Sequence, residues 1–204
     1  MGGNIVYLVR HGQTIFNAED RLGGDSELTQ KGLKHAEKVA GYLAEIDLDA
    51  VYSSTLKRAV KTAEIILRYH SDIQFLIIPE LAEISHGDMD SITYEEFRGR
   101  FHDMHETRKN DKYNWSFPNG ESYRIASQRI LPFWETIKSQ GRNIVIVGHQ
   151  ATNRIILGHF LDLPEEEIVN LPIPNDGDFF EMNLINSTIF HIKDGRRDEG
   201  YKTS

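Results

Sequence analysis

The chain contains no cysteine in 204 residues, which excludes a disulfide framework, a thiolate nucleophile and any cysteine-ligated metal. Positive charge is in deficit: 23 Lys and Arg stand against 31 Asp and Glu, for a formal net charge of −8. Nucleic acids and anionic membranes require clustered cations, so neither is expected as a partner. Long hydrophobic runs are missing too. The longest, such as Phe75 to Ile78 and Ile144 to Val147, are strand-sized and far short of the ~20 residues of a membrane-spanning helix. The opening Met1-Gly2-Gly3-Asn4 has neither a basic nor an apolar stretch of the kind that directs export, so a cytoplasmic location is expected. No repeat or low-complexity segment breaks the chain, which is long enough to bury a sizeable core as one domain, 1–204.

What is present is organised around Val6-Tyr7-Leu8-Val9-Arg10-His11-Gly12, an apolar run that ends in a cation, an imidazole and a glycine. It reads as a buried strand delivering Arg10 and His11 to its carboxyl end, where ligands sit in open α/β sheets, with Gly12 leaving room for an anion near its N–H. Residues 13–27 read as a loop. Thr29 is an N-cap for a helix carrying Leu33, Ala36, Ala40, Leu43 and Ile46 at spacings of three and four. Ala50-Val51-Tyr52 is a second strand, followed by the hydroxyl cluster Ser53-Ser54-Thr55 and a helix with Arg58 in its first turn. Phe75 to Ile78 is a third strand. From Ser85 to Tyr123 the pattern loosens, with a helix expected at 93–104, and the segment reads as an inserted cap over the sheet edge. Glu121 to Ser139 is helical, with Pro132 expected to kink or restart it. Ile144 to Val147 is fully apolar, as buried parallel strands are, and ends in Gly148-His149-Gln150. A helix at 151–160, a hairpin of Phe179–Ile185 with Thr188–Lys193, and a mobile charged tail from Asp194 complete the chain. Strands alternating with helices make an α/β three-layer αβα sandwich with a mostly parallel sheet.

Arg10-His11 and His149 each follow a strand, and Arg58 begins the helix after another, so two imidazoles and two guanidiniums can meet at one sheet edge. Such a group suits an anion. A metal is the alternative, but neighbouring guanidiniums repel a dication and no His-x-x-x-His or carboxylate cluster accompanies the pair, so no metal or other cofactor is expected.

At this point the chain resembles the histidine phosphatases, which share their fold with cofactor-dependent phosphoglycerate mutases. The likeness runs from Val6 to about Leu163. It rests on Arg10-His11-Gly12-Gln13-Thr14-Ile15-Phe16-Asn17, on Arg58 within Tyr52-Ser53-Ser54-Thr55-Leu56-Lys57-Arg58-Ala59, on Glu83 and on His149. The resemblance implies a metal-independent phosphomonoesterase in which neutral His11 attacks phosphorus and becomes phosphohistidine. Arg10, Arg58, Asn17 and His149 would stabilise the equatorial oxygens, and a protonated Glu83 would serve the leaving alkoxide.

From Leu81 to Leu163 the chain is similar to the phosphatase half of the bifunctional enzymes that make and destroy fructose 2,6-bisphosphate. In those enzymes the residues matching Tyr94, Arg108, Lys112, Gln150 and Arg154 hold the second phosphate of the sugar, which implies a sugar bisphosphate as the small-molecule partner. No kinase domain lies in the 204 residues, and stand-alone activity is expected. The segment Ile173-Pro174-Asn175-Asp176-Gly177-Asp178 departs from the family pattern and places two acids near the expected site. A broad-specificity phosphatase or a phosphoglycerate mutase is the enzymatic alternative. A non-catalytic phosphoester-binding module is the other, although such modules commonly lose the nucleophile or the acid and both stand here. Nothing in the sequence bears on oligomeric state.

Overall fold

The computed structural model describes residues 3–200. The strands are β1 (Ile5–Arg10), β2 (Ala50–Ser53), β3 (Gln74–Ile77), β4 (Ile144–Gly148), β5 (Phe179–Asn183), β6 (Thr188–Lys193) and β7 (Arg196–Glu199), hydrogen-bonded in the order β3-β2-β4-β1-β5-β6-β7. The first four of that order are mutually parallel; β5, β6 and β7 extend the sheet antiparallel. The helices, in chain order, are α1 (Ile15–Ala18), α2 (Gln30–Leu43), α3 (Lys57–Leu67), α4 (Tyr94–Arg100), α5 (His102–Asn110), α6 (Tyr123–Ser139), α7 (Gln150–Phe160) and α8 (Glu165–Ile168).

Alternation along β1 divides the molecule. Val6 and Leu8 face a core completed by Ile130, Trp134 and Ile137 of α6 with Ile155 and Ile156 of α7. Tyr7 and Val9 face another, completed by Ala36, Val39 and Leu43 of α2 with Ala59, Ala63 and Ile66 of α3. Because successive strand residues point to opposite faces, a strand apolar at every position must be covered on both sides, and the three-layer αβα sandwich follows. The register is level where it matters: Arg10 pairs with Gly148, and Ser53 with Val147. The carboxyl ends of β2, β4 and β1 therefore stand side by side, with β4 in the middle.

Thr29 caps α2 as expected, accepting from Gly32 N at 3.0 Å. Four details differ from the sequence reading. The stretch 13–27 contains α1, nucleated by a reciprocal capping box between Thr14 and Asn17. The single helix expected at 93–104 is two, broken at Phe101, so that Phe97 and Phe101 both reach an aromatic cluster. Pro132 does not restart α6, which runs unbroken through it, because it lies on the exposed face where water can satisfy the carbonyl it leaves without a partner. The tail from Asp194 is no loose end: β7 pairs with β6, Arg197 lies over the Phe190 ring at 3.3 Å and forks onto Glu181 at 2.7 Å. A fully exposed, charged edge strand is one that resists further pairing.

Residues 85–123 carry a small core of their own. Met89, Phe97 and Phe117 are buried together with Ile92, Trp115 and, from the loop after α1, Leu22. The two ends of this segment meet, Glu121 N donating to Ser85 O at 2.9 Å and Asp88 N to Pro118 O at 3.0 Å. Gly87 makes the junction possible, since its φ is +54° and a Cβ would stand 2.0 Å from Pro118 O.

Candidate active site

Beyond β1 the chain turns at Gly12. Its N–H donates to Thr62 Oγ1 at 3.1 Å, and a Cβ there would stand 2.3 Å from Gly32 O. The glycine thus serves close packing onto α2, and its N–H is not open to an anion as expected. Side chains build the site instead. His11, 7% exposed, places Nδ1 at 2.7 Å from Gly12 O. A carbonyl only accepts, so Nδ1 carries the proton and Nε2 keeps its lone pair. Arg58, from the first turn of α3, donates its Nε–H to that Nε2 at 3.1 Å and an Nη1–H to Gly24 O at 2.6 Å. Burial, and then the guanidiniums of Arg58 and Arg10, hold the His11 pKa well below 6.5, so the ring is neutral.

His149 follows β4, is fully buried, and sets its ring centroid 5.0 Å from that of His11. Its Nε2 lies 2.6 Å from Ser54 Oγ beyond β2, while Nδ1 is buried with no partner. Burial, followed by Arg58, keeps this ring neutral as well. Arg10 donates to Asn175 Oδ1, and burial lowers its pKa without approaching neutrality for a guanidinium. Asn17 accepts the Thr14 N–H at 3.1 Å through Oδ1, and its amide nitrogen makes no hydrogen bond among the described residues.

Glu83 accepts three backbone N–H groups, from Ile84 at 3.0 Å, Gln150 at 3.0 Å and Ala151 at 3.1 Å. His149 occupies the N-cap of α7 without capping it through its side chain, and Glu83 takes that task from outside the helix. Arg129 holds the segment in place, donating to Ala82 O at 2.9 Å and to both oxygens of Glu121 at 2.8 and 2.9 Å. All of these contacts to the Glu83 carboxylate are accepted ones, whereas the family likeness implies a protonated acid.

Arg10, His11, Asn17, Arg58, Glu83 and Gln150 line a cavity of about 300 Å³ that Arg108, Lys112 and Arg154 also line. Arg154 donates to Leu171 O at 2.7 Å and to the Tyr123 hydroxyl at 3.0 Å; Lys112 donates to Val169 O at 2.6 Å; the Arg108 guanidinium lies 5.5 Å from the Phe117 ring centroid. Among the described residues none of the three forms an ion pair with a carboxylate. Burial, reinforced by Arg154 and Arg108, pushes Lys112 down to about 7. Tyr94 is close enough to Arg108 to raise its pKa electrostatically. It lines an adjoining cavity of about 440 Å³ that Arg10, His11 and Gln150 share, and its hydroxyl lies 3.2 Å from His105 Nε2. The two unexpected acids are drawn to α2, Asp178 pairing with Lys38 at 2.7 Å and Asp176 with Lys31 at 3.1 Å, although Asp176 still borders the adjoining cavity.

Sequence reasoning missed Arg21, His86 and Tyr123 in the cavity wall, and Ser54 behind His149. The one available signal for Ser54 was its place just beyond a strand, in a hydroxyl cluster that reads equally well as helix caps. Among the described residues no group of three or more His, Asp or Glu is disposed to hold a metal ion, and no helix is long and apolar enough to cross a membrane.

The model of the histidine phosphatase superfamily (branch 1) matches residues 6–178. The 6-phosphofructo-2-kinase/fructose-2,6-bisphosphatase of Caenorhabditis elegans is 35% identical over 171 residues, 83% of this chain and 36% of the relative. The fructose-2,6-bisphosphatase of Saccharomyces cerevisiae is 35% identical over 173 residues, 83% of this chain and 37% of the relative. The chain thus spans little more than a third of the length of these relatives. A putative alpha-ribazole-5'-P phosphatase from Escherichia coli superposes with a TM-score of 0.80 over 98% of this chain and 96% of its own, at 24% identity, a likeness of fold. With the match covering both strand-end histidines and the parallel strands that carry them, the chain belongs to the histidine phosphatase superfamily, branch 1.

Proposed function

We propose that this phosphatase cleaves a phosphomonoester by in-line attack of His11 Nε2 on phosphorus, through a phosphohistidine, without a metal ion. The lone pair is on the required atom, because Gly12 O holds the Nδ1 proton. Arg58, which rests on Nε2, is a phosphate ligand by chemistry; a phosphoryl group arriving between them takes the guanidinium and frees the lone pair. Arg10, Arg58, Asn17 and His149 donate to the equatorial oxygens and supply the charge that a divalent ion would otherwise bring. Glu83 protonates the leaving alkoxide and later accepts a proton from the attacking water. A protonated carboxyl oxygen accepts fewer amides, so the acid form gives up part of its contact with Gln150 and Ala151. Residues 85–123 act as the cap that closes the cavity over the sheet edge.

The substrate we propose is a sugar bisphosphate of the fructose 2,6-bisphosphate kind. The observation that carries this is the trio Arg108, Lys112 and Arg154, three cations without a carboxylate partner on the wall of the cavity that holds His11. The names of the two relatives support the same substrate. One observation favours a broad-specificity phosphatase instead: the adjoining cavity, bordered by Gln13, Asp20 and Asp176, suits an uncharged alcohol. A phosphate-release screen over fructose 2,6-bisphosphate, phosphoglycerates, other sugar phosphates and nucleotides, with and without EDTA, decides. The bisphosphate should lead by about tenfold or more, one charge-assisted contact's worth, and EDTA should leave the rate unchanged. Equal rates across monoesters favour broad specificity; loss in EDTA recovered by zinc or magnesium overturns the metal-free mechanism.

A further inference from the structure

A neutral imidazole beside a phosphoryl group can present an N–H or a lone pair, and the two act with opposite sign: the first attracts the phosphoryl oxygens and the second repels them. His149 is neutral, so its tautomer decides whether it assists or opposes the transfer. We propose that Ser54, which lines neither cavity, sets that tautomer: its hydroxyl donates to His149 Nε2 and fixes the proton on Nδ1, making Ser54 a positioning residue for phosphoryl transfer. The inference rests on the reading of His149 as a donor to the phosphoryl oxygens.

Hydrogen-bond accounting gives the direction. The Ser54 hydroxyl has one proton and two lone pairs. Leu56 N–H donates to its oxygen at 3.2 Å, and His149 Nε2 at 2.6 Å is its other contact among the described residues. If Nε2–H donated to the oxygen, the hydroxyl proton of a fully buried serine would have no acceptor. With the hydroxyl donating, Ser54 Oγ and His149 Nε2 are both satisfied, and the imidazole proton must sit on Nδ1. That nitrogen is itself buried and has no partner among the described residues. The strand order gives the orientation a reason. β4 lies between β2 and β1, so His149 stands between Ser54 beyond β2, which takes its Nε2, and His11 beyond β1, whose ring centroid is 5.0 Å away. Gly12 O performs the equivalent service for His11, holding its proton on Nδ1 so that Nε2 attacks. One residue is thereby set as nucleophile and its neighbour as donor, through hydrogen bonds made on the sides of the rings away from the phosphate.

The tautomer can be read without turnover. Long-range ¹H–¹⁵N correlation spectra of the full ¹⁵N-labelled chain, with the His149 signals identified by their loss in His149→Ala, should show a protonated Nδ1 and a pyridine-like Nε2. Ser54→Ala should move the proton toward Nε2 and lower kcat for p-nitrophenyl phosphate about 10- to 100-fold, with little change in KM. Ser54→Thr restores the hydroxyl and should recover both the tautomer and most of kcat. A protonated Nε2 in the wild type overturns the proposal, as does a Ser54→Ala protein with wild-type kcat, or equal losses in the alanine and threonine variants with unaltered ¹⁵N shifts. An active His149→Ala overturns the reading of His149 beneath it, while the spectrum alone still decides the tautomer.

Discussion

The two groups of cations at the cavity are held by different parts of the molecule. Arg10, His11 and His149 sit at the level ends of two adjacent parallel strands, and Arg58 opens the helix after a third. His11, Arg58 and His149 are all 7% exposed or less, and each is tied to a fixed partner, Gly12 O, Gly24 O and Ser54 Oγ respectively. In the second group, Arg108 and Lys112 lie at and just beyond the end of α5, in residues 85–123, whose buried core is Met89, Phe97 and Phe117. They meet Arg154 of α7, and Lys112 and Arg154 are anchored on the carbonyls of Val169 and Leu171. A strand end in a parallel ladder cannot shift without breaking the ladder. Bond-making needs groups held near 3 Å of the reacting atom, roughly, and the sheet supplies that. Under the proposed function a second phosphate needs only charge, which residues 85–123 and α7 can supply.

The sharpest break between the two groups is predicted at His11. His11→Ala should lower kcat on every substrate by at least about 10³-fold, whichever ester is offered. Base-quenched mass spectrometry of the wild type should find phosphate on His11; phosphate on His149 would reverse their roles. Because burial and two guanidiniums hold the His11 pKa well below 6.5, protonation of the nucleophile should not limit the rate between pH 6 and 8, and any acid limb from it lies lower. Next in size is Glu83. Glu83→Gln should lose about 10² to 10⁴ on a sugar phosphate, whose alkoxide needs a proton, and far less on p-nitrophenyl phosphate, whose phenolate does not. Equal losses would place the proton donor elsewhere.

The same division explains what the sequence made legible. Strand-end residues announce themselves, since an apolar run stopping at Arg10-His11 or Gly148-His149 encodes both the strand and the edge it reaches. The core helices were legible for a similar reason: α2 and α3 carry their apolar residues at steps of three and four. The helices of residues 85–123 were not, because the core there is mostly aromatics drawn together across about 30 residues of loosened pattern, the regime in which periodicity carries least. So Phe101 was read through as helix. Gly12 was read as an anion nest when its freedom serves the approach of Gly32. Contacts between distant segments, such as Ser54 with His149 or Glu83 with the α7 terminus, left no local trace at all.

Weakening the second group should give a different signature. Arg154→Ala and Lys112→Ala each remove a charge-assisted contact worth about 1.5–3 kcal/mol to a bound phosphate, so KM for fructose 2,6-bisphosphate should rise about tenfold or more, with kcat largely spared. An aryl phosphate too small to reach these residues serves as the control for folding, because Arg154→Ala also removes the bonds to Leu171 O and Tyr123. Unchanged bisphosphate kinetics, or equal impairment of both substrates, would remove the second phosphate site and with it the contrast between the two groups.

The smallest effect is a titration, and it tests whether the cap cations act as charges. Lys112 falls to about 7 through burial and the neighbouring Arg154 and Arg108, so its ammonium is present below that value and lost above it in the free protein. A phosphate dianion favours the charged form, and KM for the bisphosphate should therefore rise by up to about 20-fold between pH 6.5 and 8.5, as the ammonium fraction falls, and by no more than in Lys112→Ala. Binding at pH 8 should take up a proton, measurable as a buffer-dependent enthalpy in calorimetry. The linkage to stability has the opposite sense. The unfolded chain holds this proton up to the ordinary lysine range and the folded chain does not, so the free fold gains stability from this group as pH rises above about 7. Lys112→Arg keeps the charge at every pH and should flatten the KM profile; a profile that persists in the arginine variant assigns the titration to another group and leaves Lys112 no part in binding.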